Sequence, residues 1–353
     1  MHHLDDRAIS ELRLSYLQPV PRNLVHRAAI AEVFITDCLR VDDLRHLVAA
    51  QWPRDHVLYH PNASGLTDPL LFAETLRQAL VYLAHAHHKV PLDHQFIGEF
   101  LEITVTEPAP LLVGEAPLPA VLDARWSWLD RRPGREKFRI DVDLLVNGSA
   151  CGTGSLQVLA VDARRYRILR HRGGAAAATG GGAEAAPSTR LSPEAVGKMR
   201  RKDCVISPAG QDGPWLLAVD PRHAALYDHP SDHLPLMVMA EGFRQLGHLL
   251  SHRTPPGTPG AEPLMLSALR VDCRGWGERD VPTELVVTRH TPASPGGWDL
   301  AATQNGVRIA DAHLVWTRPG VPGAVPRVPA SRWEPAAAAR SHVAAPRREP
   351  AVV

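Results

Sequence analysis

Two stretches of this chain carry the same residue types at the same spacings, and that repetition constrains the fold more than any other feature. Glu74-Thr75-Leu76-Arg77-Gln78, with His85 seven residues beyond the glutamine, recurs as Glu241-Gly242-Phe243-Arg244-Gln245, with His252 seven beyond. Upstream, Pro53-Arg54 followed by Tyr59 is answered by Pro221-Arg222 followed by Tyr227. Downstream, two strand-like runs turn through Asn147-Gly148 in one half and Asn305-Gly306 in the other. A period of roughly 160 to 170 residues is a duplicated domain, since solenoid repeats span only about 20–50. The question of function becomes what two tandem copies of one fold build between them.

Length agrees, because 353 residues exceed what one small core organises. The boundaries follow from composition: a first domain over 20–168, a linker over 169–192 rich in Gly and Ala, a second domain over 193–318, and a tail over 319–353 rich in Pro, Ala and Arg. A formal net charge of +1 offers no basic face for nucleic acid. No apolar run reaches the ~20 residues of a membrane span, and Met1-His2-His3-Leu4-Asp5-Asp6 has neither the basic start nor the apolar core of a signal peptide. The expected location is cytoplasmic. Cys38, Cys151, Cys204 and Cys273 lie far apart with no Cys-x-x-Cys, the pattern of free, buried thiols rather than of a disulfide or zinc site.

The element order is legible in both halves. Leu70 to Ala86 predicts a helix, with Asp68 as N-cap and Pro69 at the first helical position, where its missing N–H costs nothing. Strands are predicted at Ile30 to Thr36, Gln95 to Thr106, Ala120 to Leu129, Lys137 to Val146 and Ser149 to Val161. Asn147-Gly148 predicts a type I′ hairpin. The second half repeats this with a helix from Leu234 to Ser251 and strands at Leu264 to Cys273, Glu284 to His290, Trp298 to Gln304 and Arg308 to Thr317. One long helix followed by an antiparallel run of strands predicts, in each half, a sheet wrapped around a central helix, an α+β fold.

At about 100° per residue, Glu74, Gln78 and His85 share one stripe of the helix with Arg77 at its edge, while Leu76, Ala79, Leu80 and Leu83 take the opposite face. Such a stripe is ordinarily a solvated polar face, or a Glu–Arg network tying helix to sheet. Its reappearance in the second half as Glu241, Arg244, Gln245 and His252 favours a site over a merely wet surface. His87 and His88 beside His85 lack a carboxylate in register for a metal and are expected at the surface.

A further set of residues carries a resemblance. Val25-His26-Arg27 through Ala31-Glu32-Val33-Phe34-Ile35-Thr36-Asp37, then Trp52-Pro53-Arg54-x-His56, Asp68-Pro69 to Gln78, and Val90-Pro91-Leu92 resemble the A-factor biosynthesis (AfsA-like) family of actinobacterial signalling enzymes. Asp232-His233-x-Pro235 to Glu241-x-x-Arg244-Gln245 resembles that family's second repeat, with Leu236 standing where the family usually has glycine. The likeness covers most of residues 20–317. It implies tandem hotdog domains, a monomer with an internal pseudo-dimer or a homodimer, and no cofactor. The activity it implies moves a β-ketoacyl group from an acyl carrier protein thioester to the hydroxyl of dihydroxyacetone phosphate, on the way to a γ-butyrolactone-type signal.

That chemistry needs a base for the hydroxyl, for which a partly buried carboxylate with raised pKa is suited: Glu74 and Glu241, with Gln78, Gln245 and His85 beside them. The oxyanion wants N–H donors, which the helix starts at Asp68 to Leu71 and Asp232 to Leu236 offer. The phosphate wants arginine, for which Arg54, Arg77, Arg222 and Arg244 are the candidates. No nucleophile turn is evident, so direct transfer is expected. A thioesterase or dehydratase on the same fold, and a silent acyl-carrier sensor, are the alternatives.

Overall fold

The computed structural model describes residues 14–172, 191–210, 214–252, 264–291 and 297–319. The linker between 173 and 190 and the tail from 320 onward lie outside the described residues. The first helix, α1 (Pro69–Ala86), starts as the sequence predicts: the Asp68 carboxylate accepts from the Leu70 N–H at 2.9 Å, and Pro69 follows. It is buried on nearly every face, Glu74, Thr75 and Gln78 included. The solvated-stripe reading is thereby excluded, because the helix is enclosed by the sheet that packs around it rather than lying in water.

That sheet holds β1 (Ile35–Arg40), β2 (Arg45–Trp52), β3 (Gln95–Val105), β4 (Leu118–Arg132), β5 (Arg135–Val146) and β6 (Ser149–Val161). The run from Ile30 begins as a 3-10 turn, Ile30–Glu32, and the strand proper starts only at Ile35. At the β5–β6 hairpin Asn147 and Gly148 both take positive φ, 50° and 77°, as a type I′ turn requires. A second helix, α2 (Ala163–Arg172), follows β6 and makes the first residues of the expected linker helical.

The second half supplies β7 (Ile206–Pro208), β8 (Trp215–Leu217), the helix α3 (Leu236–Ser251), β9 (Met265–Cys273), β10 (Thr283–Thr291), β11 (Gly297–Gln304) and β12 (Val307–Thr317). All twelve strands form one antiparallel sheet in the order β1-β2-β4-β5-β6-β3-β9-β12-β11-β10-β8-β7, each half reading outward from the centre in the same sequence. The halves join where β3 pairs with β9, from Phe100 opposite Asp272 to Thr104 opposite Ala268. One contiguous core, with α1 and α3 at its centre, spans both halves. The fold is a tandem hotdog. Two cysteines, Cys151 and Cys204, are buried, while Cys38 and Cys273 are only partly so; all four are free thiols. Among the described residues no helix is long and apolar enough to cross a membrane.

Candidate active site

The repeated Glu, Arg and Gln lie in two networks of matching geometry. In the first, Glu74 is fully buried and accepts from Arg77 (Nη2 to Oε1 2.8 Å, Nε to Oε2 2.9 Å), Gln78 (2.7 Å) and Arg27 (Nε, 3.1 Å). Gln78 ties this to the chain entering β1, donating to the Glu32 carbonyl at 2.7 Å and accepting from the Phe34 N–H at 2.9 Å. In the second, Glu241 accepts from Arg244 and Gln245, both at 2.6 Å, and from Lys198 at 3.0 Å. Gln245 donates to the Asp203 carbonyl at 2.7 Å and accepts from the Val205 N–H at 2.8 Å. Each helix is thus latched to the strand entry of its own half by one glutamine.

One buried cation of each network then crosses to the other half. Arg27 donates to the Ala225 carbonyl at 3.4 Å, and Lys198 donates to the Leu58 carbonyl at 2.7 Å. The acceptors belong to equivalent loops, each shaped by a histidine. The His56 Nδ1 accepts from the Leu58 and Tyr59 N–H groups, and the His223 Nδ1 from those of Ala225 and Leu226. Accepting at Nδ1 puts the neutral ring's proton on Nε2. That edge lies 3.1 Å from Asp203 in the second half; in the first it lies 3.3 Å from Glu32 without hydrogen-bond alignment. These histidines also correct the sequence register, since Tyr59 corresponds to Leu226 and not to Tyr227.

Electrostatics overturn one expectation. Burial raises the Glu74 carboxyl, but the guanidiniums of Arg27 and Arg77 outweigh it and bring it down to about 2. Glu241 is likewise lowered, burial being overcome by Arg244 and Lys198. Neither is the raised-pKa base the sequence suggested; both are held ionised by cations. Burial, with Arg244 alongside, lowers Lys198 against the pull of Glu241.

The other candidates divide. Arg77 and Arg244 belong to the networks; Arg54 and Arg222 do not. Arg54 is exposed and donates to the Gly114 carbonyl, and Arg222 is exposed beside Asp220. His85 lies roughly 16 Å along α1 from Glu74, where its Nδ1 donates to the Val90 carbonyl at 2.8 Å and its Nε2 meets the His26 Nε2 at 2.8 Å. His87 and His88 are half-buried against His46 rather than at the surface, and His88 stacks on Trp126. In the second half the imidazole comes from the helix instead: His248 stacks on His252 and occupies the space over Gly197, which takes φ +64°. A Cβ at Gly197 would come within 2.7 Å of that ring.

Sequence reasoning gave no role to Arg27, Lys198, His56 or His223. A signal existed: Arg27 precedes Glu32, and Lys198 precedes Asp203, by the same five positions. The two halves are not equal. Every oxygen of Glu74 is bonded, whereas the Oε2 of Glu241 and the Nε of Arg244 are buried without a partner among the described residues. Helix α1 has a side-chain cap; α3, with Pro235 at its N-cap, has none.

Paired hotdog halves whose central helices each carry a buried carboxylate clamped by cations define a tandem hotdog protein. Comparison with known proteins narrows this. The sequence matches the A-factor biosynthesis hotdog domain twice, over residues 10–162 and 183–318, and the chain belongs to that family. A 2-oxo-3-(phosphooxy)propyl 3-oxoalkanoate synthase of Streptomyces virginiae is 36% identical over 264 residues, 74% of this chain and 85% of that one. An enzyme of the same name from Streptomyces coelicolor is 31% identical, over 67% of this chain and 74% of that one. An acyl-ACP thioesterase of Bacteroides thetaiotaomicron gives a TM-score of 0.44 at 9% identity, over 77% of this chain and 98% of that one, too distant to bear on chemistry.

Proposed function

We propose that this chain is an acyltransferase that moves a 3-oxoalkanoyl group from an acyl carrier protein thioester to the hydroxyl of dihydroxyacetone phosphate, in the cytoplasm, on the way to a γ-butyrolactone-type signal. The observation that carries the reading is the family match across both halves, with relatives of that activity aligned over most of their length. The hydroxyl oxygen attacks the thioester carbon, the carbonyl oxygen becomes an oxyanion, and the thiolate leaves as the ester forms.

The asymmetry of the networks supports the second half as the working copy. Between Glu74 and Glu241, only the Oε2 of Glu241 lacks a hydrogen-bond partner among the described residues, and on this reading it accepts the hydrogen of the attacking hydroxyl. Held ionised, Glu241 acts chiefly by orienting that hydroxyl and stabilising the charge that develops on it. The uncapped start of α3 offers its first N–H groups to the oxyanion. Arg77 is our candidate for the phosphate: its side chain is 19% exposed, against 5% for Arg244.

The experiment mixes the protein with a β-ketoacyl carrier protein and dihydroxyacetone phosphate and follows the phosphate ester and its cyclised product by mass spectrometry. Product that requires both substrates supports the acyltransferase. Free β-keto acid formed equally well without the phosphate identifies a thioesterase, and an unchanged thioester identifies a sensor. Glu241→Gln is expected to slow single-turnover transfer by about 10²-fold or more with carrier protein binding retained; equal rates would remove Glu241 from the mechanism.

A further inference from the structure

Helix α2 is built almost entirely of cations and rings, Ala163-Arg-Arg-Tyr-Arg-Ile-Leu-Arg-His-Arg172, with no acidic residue. Its two sides do different things. Tyr166 and Arg170, one turn apart, fasten it to the second half: the Tyr166 hydroxyl donates to Asp232 at 2.5 Å, and Arg170 pairs with Glu278 at 2.8 Å while lying 4.8 Å over the Trp276 ring. The acids nearby are all engaged in this way, Asp162 by Arg165 and Asp232 and Glu278 by Arg170. Arg164, Arg167, Ile168 and His171 stand at i, i+3, i+4 and i+7, on the side turned away from Tyr166 and Arg170. All four are exposed, Ile168 to 39%. The guanidiniums of Arg164 and Arg167 meet no carboxylate among the described residues. A stripe of unpaired cations around one exposed aliphatic side chain suits an anionic partner with an apolar contact of its own.

The position of the stripe says which partner. Asp232, the residue α2 grips, lies four residues before Leu236, the first residue of α3, and Glu241 lies five further, roughly 8 Å along the helix axis. Whatever docks on the exposed face of α2 is therefore held by a helix that is itself fastened just ahead of the start of α3, the helix that carries Glu241.

We propose that the exposed face of α2, formed by Arg164, Arg167, Ile168 and His171, is the docking surface for the thioester donor, a carrier protein. This rests on the acyltransferase reading. A carrier-bound thioester hangs from its protein through a phosphodiester, so the donor is anionic where its arm begins. Docking against α2 brings the donor to a helix fastened ahead of α3, and the arm spans the remaining distance to the α3 N-terminal end, while small thioesters reach that end without the helix.

The test is a double charge reversal, Arg164→Glu with Arg167→Glu, assayed with the same β-ketoacyl group on the carrier protein and on N-acetylcysteamine. The expected result is a KM for the carrier-bound donor raised about tenfold, with kcat retained and the difference shrinking as salt is added. The KM for the small thioester stays where it was. An unchanged KM for the carrier-bound donor, or an equal loss with both donors, overturns the proposal. If the parent protein turns over neither donor, the acyltransferase reading fails on its own, and calorimetric titration with the acyl carrier protein decides the docking face. Binding by the parent that the reversal weakens supports the face; no binding, or equal binding by both, overturns it.

Discussion

Glu74 and Glu241 occupy matching positions yet do different physical work. Glu74 faces two guanidiniums and an amide with both oxygens bonded, so Glu74→Gln leaves Arg77 without its countercharge and Arg27 with only Asp228, 3.9 Å away, in a buried site. Its expected cost is about 3–5 kcal/mol of stability, read from denaturant midpoints. Because the folded carboxyl is lowered to about 2, its contribution is complete above the unfolded value near 4.5 and is lost as pH falls toward 2. His46 moves stability the same way at milder acidity. Its ring is buried with neither nitrogen bonded among the described residues, and burial, then His87 and Arg40, lower it to about 4 against Asp42. The unfolded chain takes up that proton near pH 6.5 while the folded one refuses it until about 4, so stability drains through that window. His46→Leu is expected to shrink the stability lost between pH 7 and 5 by about 1–2 kcal/mol. At this scale the sequence revealed what repeats and hid what does not. Glu, Arg and Gln keep one offset between the halves, but Arg27 became Lys198 and lies at a different offset from it than Glu74 from Glu241. A cation that changes type and register leaves no identity to read, only its five-residue spacing to the acid that follows.

Among the elements, strong local signals were the legible ones. The cap and proline at the start of α1 and the Asn-Gly turn between β5 and β6 each specify their own geometry. Strand β2, Arg-His-Leu-Val-Ala-Ala-Gln-Trp, has two alanines and no alternation because it is buried along most of its length. What holds it is tertiary, including the bond from the Trp52 indole to the Thr75 hydroxyl at 2.8 Å. Helix α2 escaped because its apolar content is too thin for periodicity to show; it is fixed by ion pairs with residues far along the chain. Close approach between β3 and β6 sets a limit of its own. A Cβ at Gly152 would lie 2.2 Å from the Thr104 carbonyl oxygen, a backbone atom that cannot swing aside. Gly152→Ala is therefore expected to lower stability by about 1–3 kcal/mol, a loss that thermal melts of the intact chain would register.

In the whole molecule the uninterrupted sheet makes the halves one body. Cutting between them would expose β3 and β9 as bare edges and strip Arg27 and Lys198 of their acceptors across the seam. Residues 20–168 and 193–318 expressed separately are expected to aggregate, and to copurify in solution when expressed together; a monodisperse single half in size-exclusion chromatography would contradict this. The division into two halves was legible from the repeat alone, but their fusion into one sheet was not, because pairing across a seam is written in no single segment. The acceptors chosen by Arg27 and Lys198 have one more consequence. Both are main-chain carbonyls, which every amino acid at position 58 or 225 supplies. At these two points each half asks of its neighbour only a backbone path, whereas Asp228, which faces Arg27 and accepts from the Ala28 and Ala29 N–H groups, and the Arg270–Glu102 pair across the seam call for particular side chains. Positions 58 and 225 are thus free to drift with no matching change in the other half, while Asp228, Glu102 and Arg270 are tied to what faces them there.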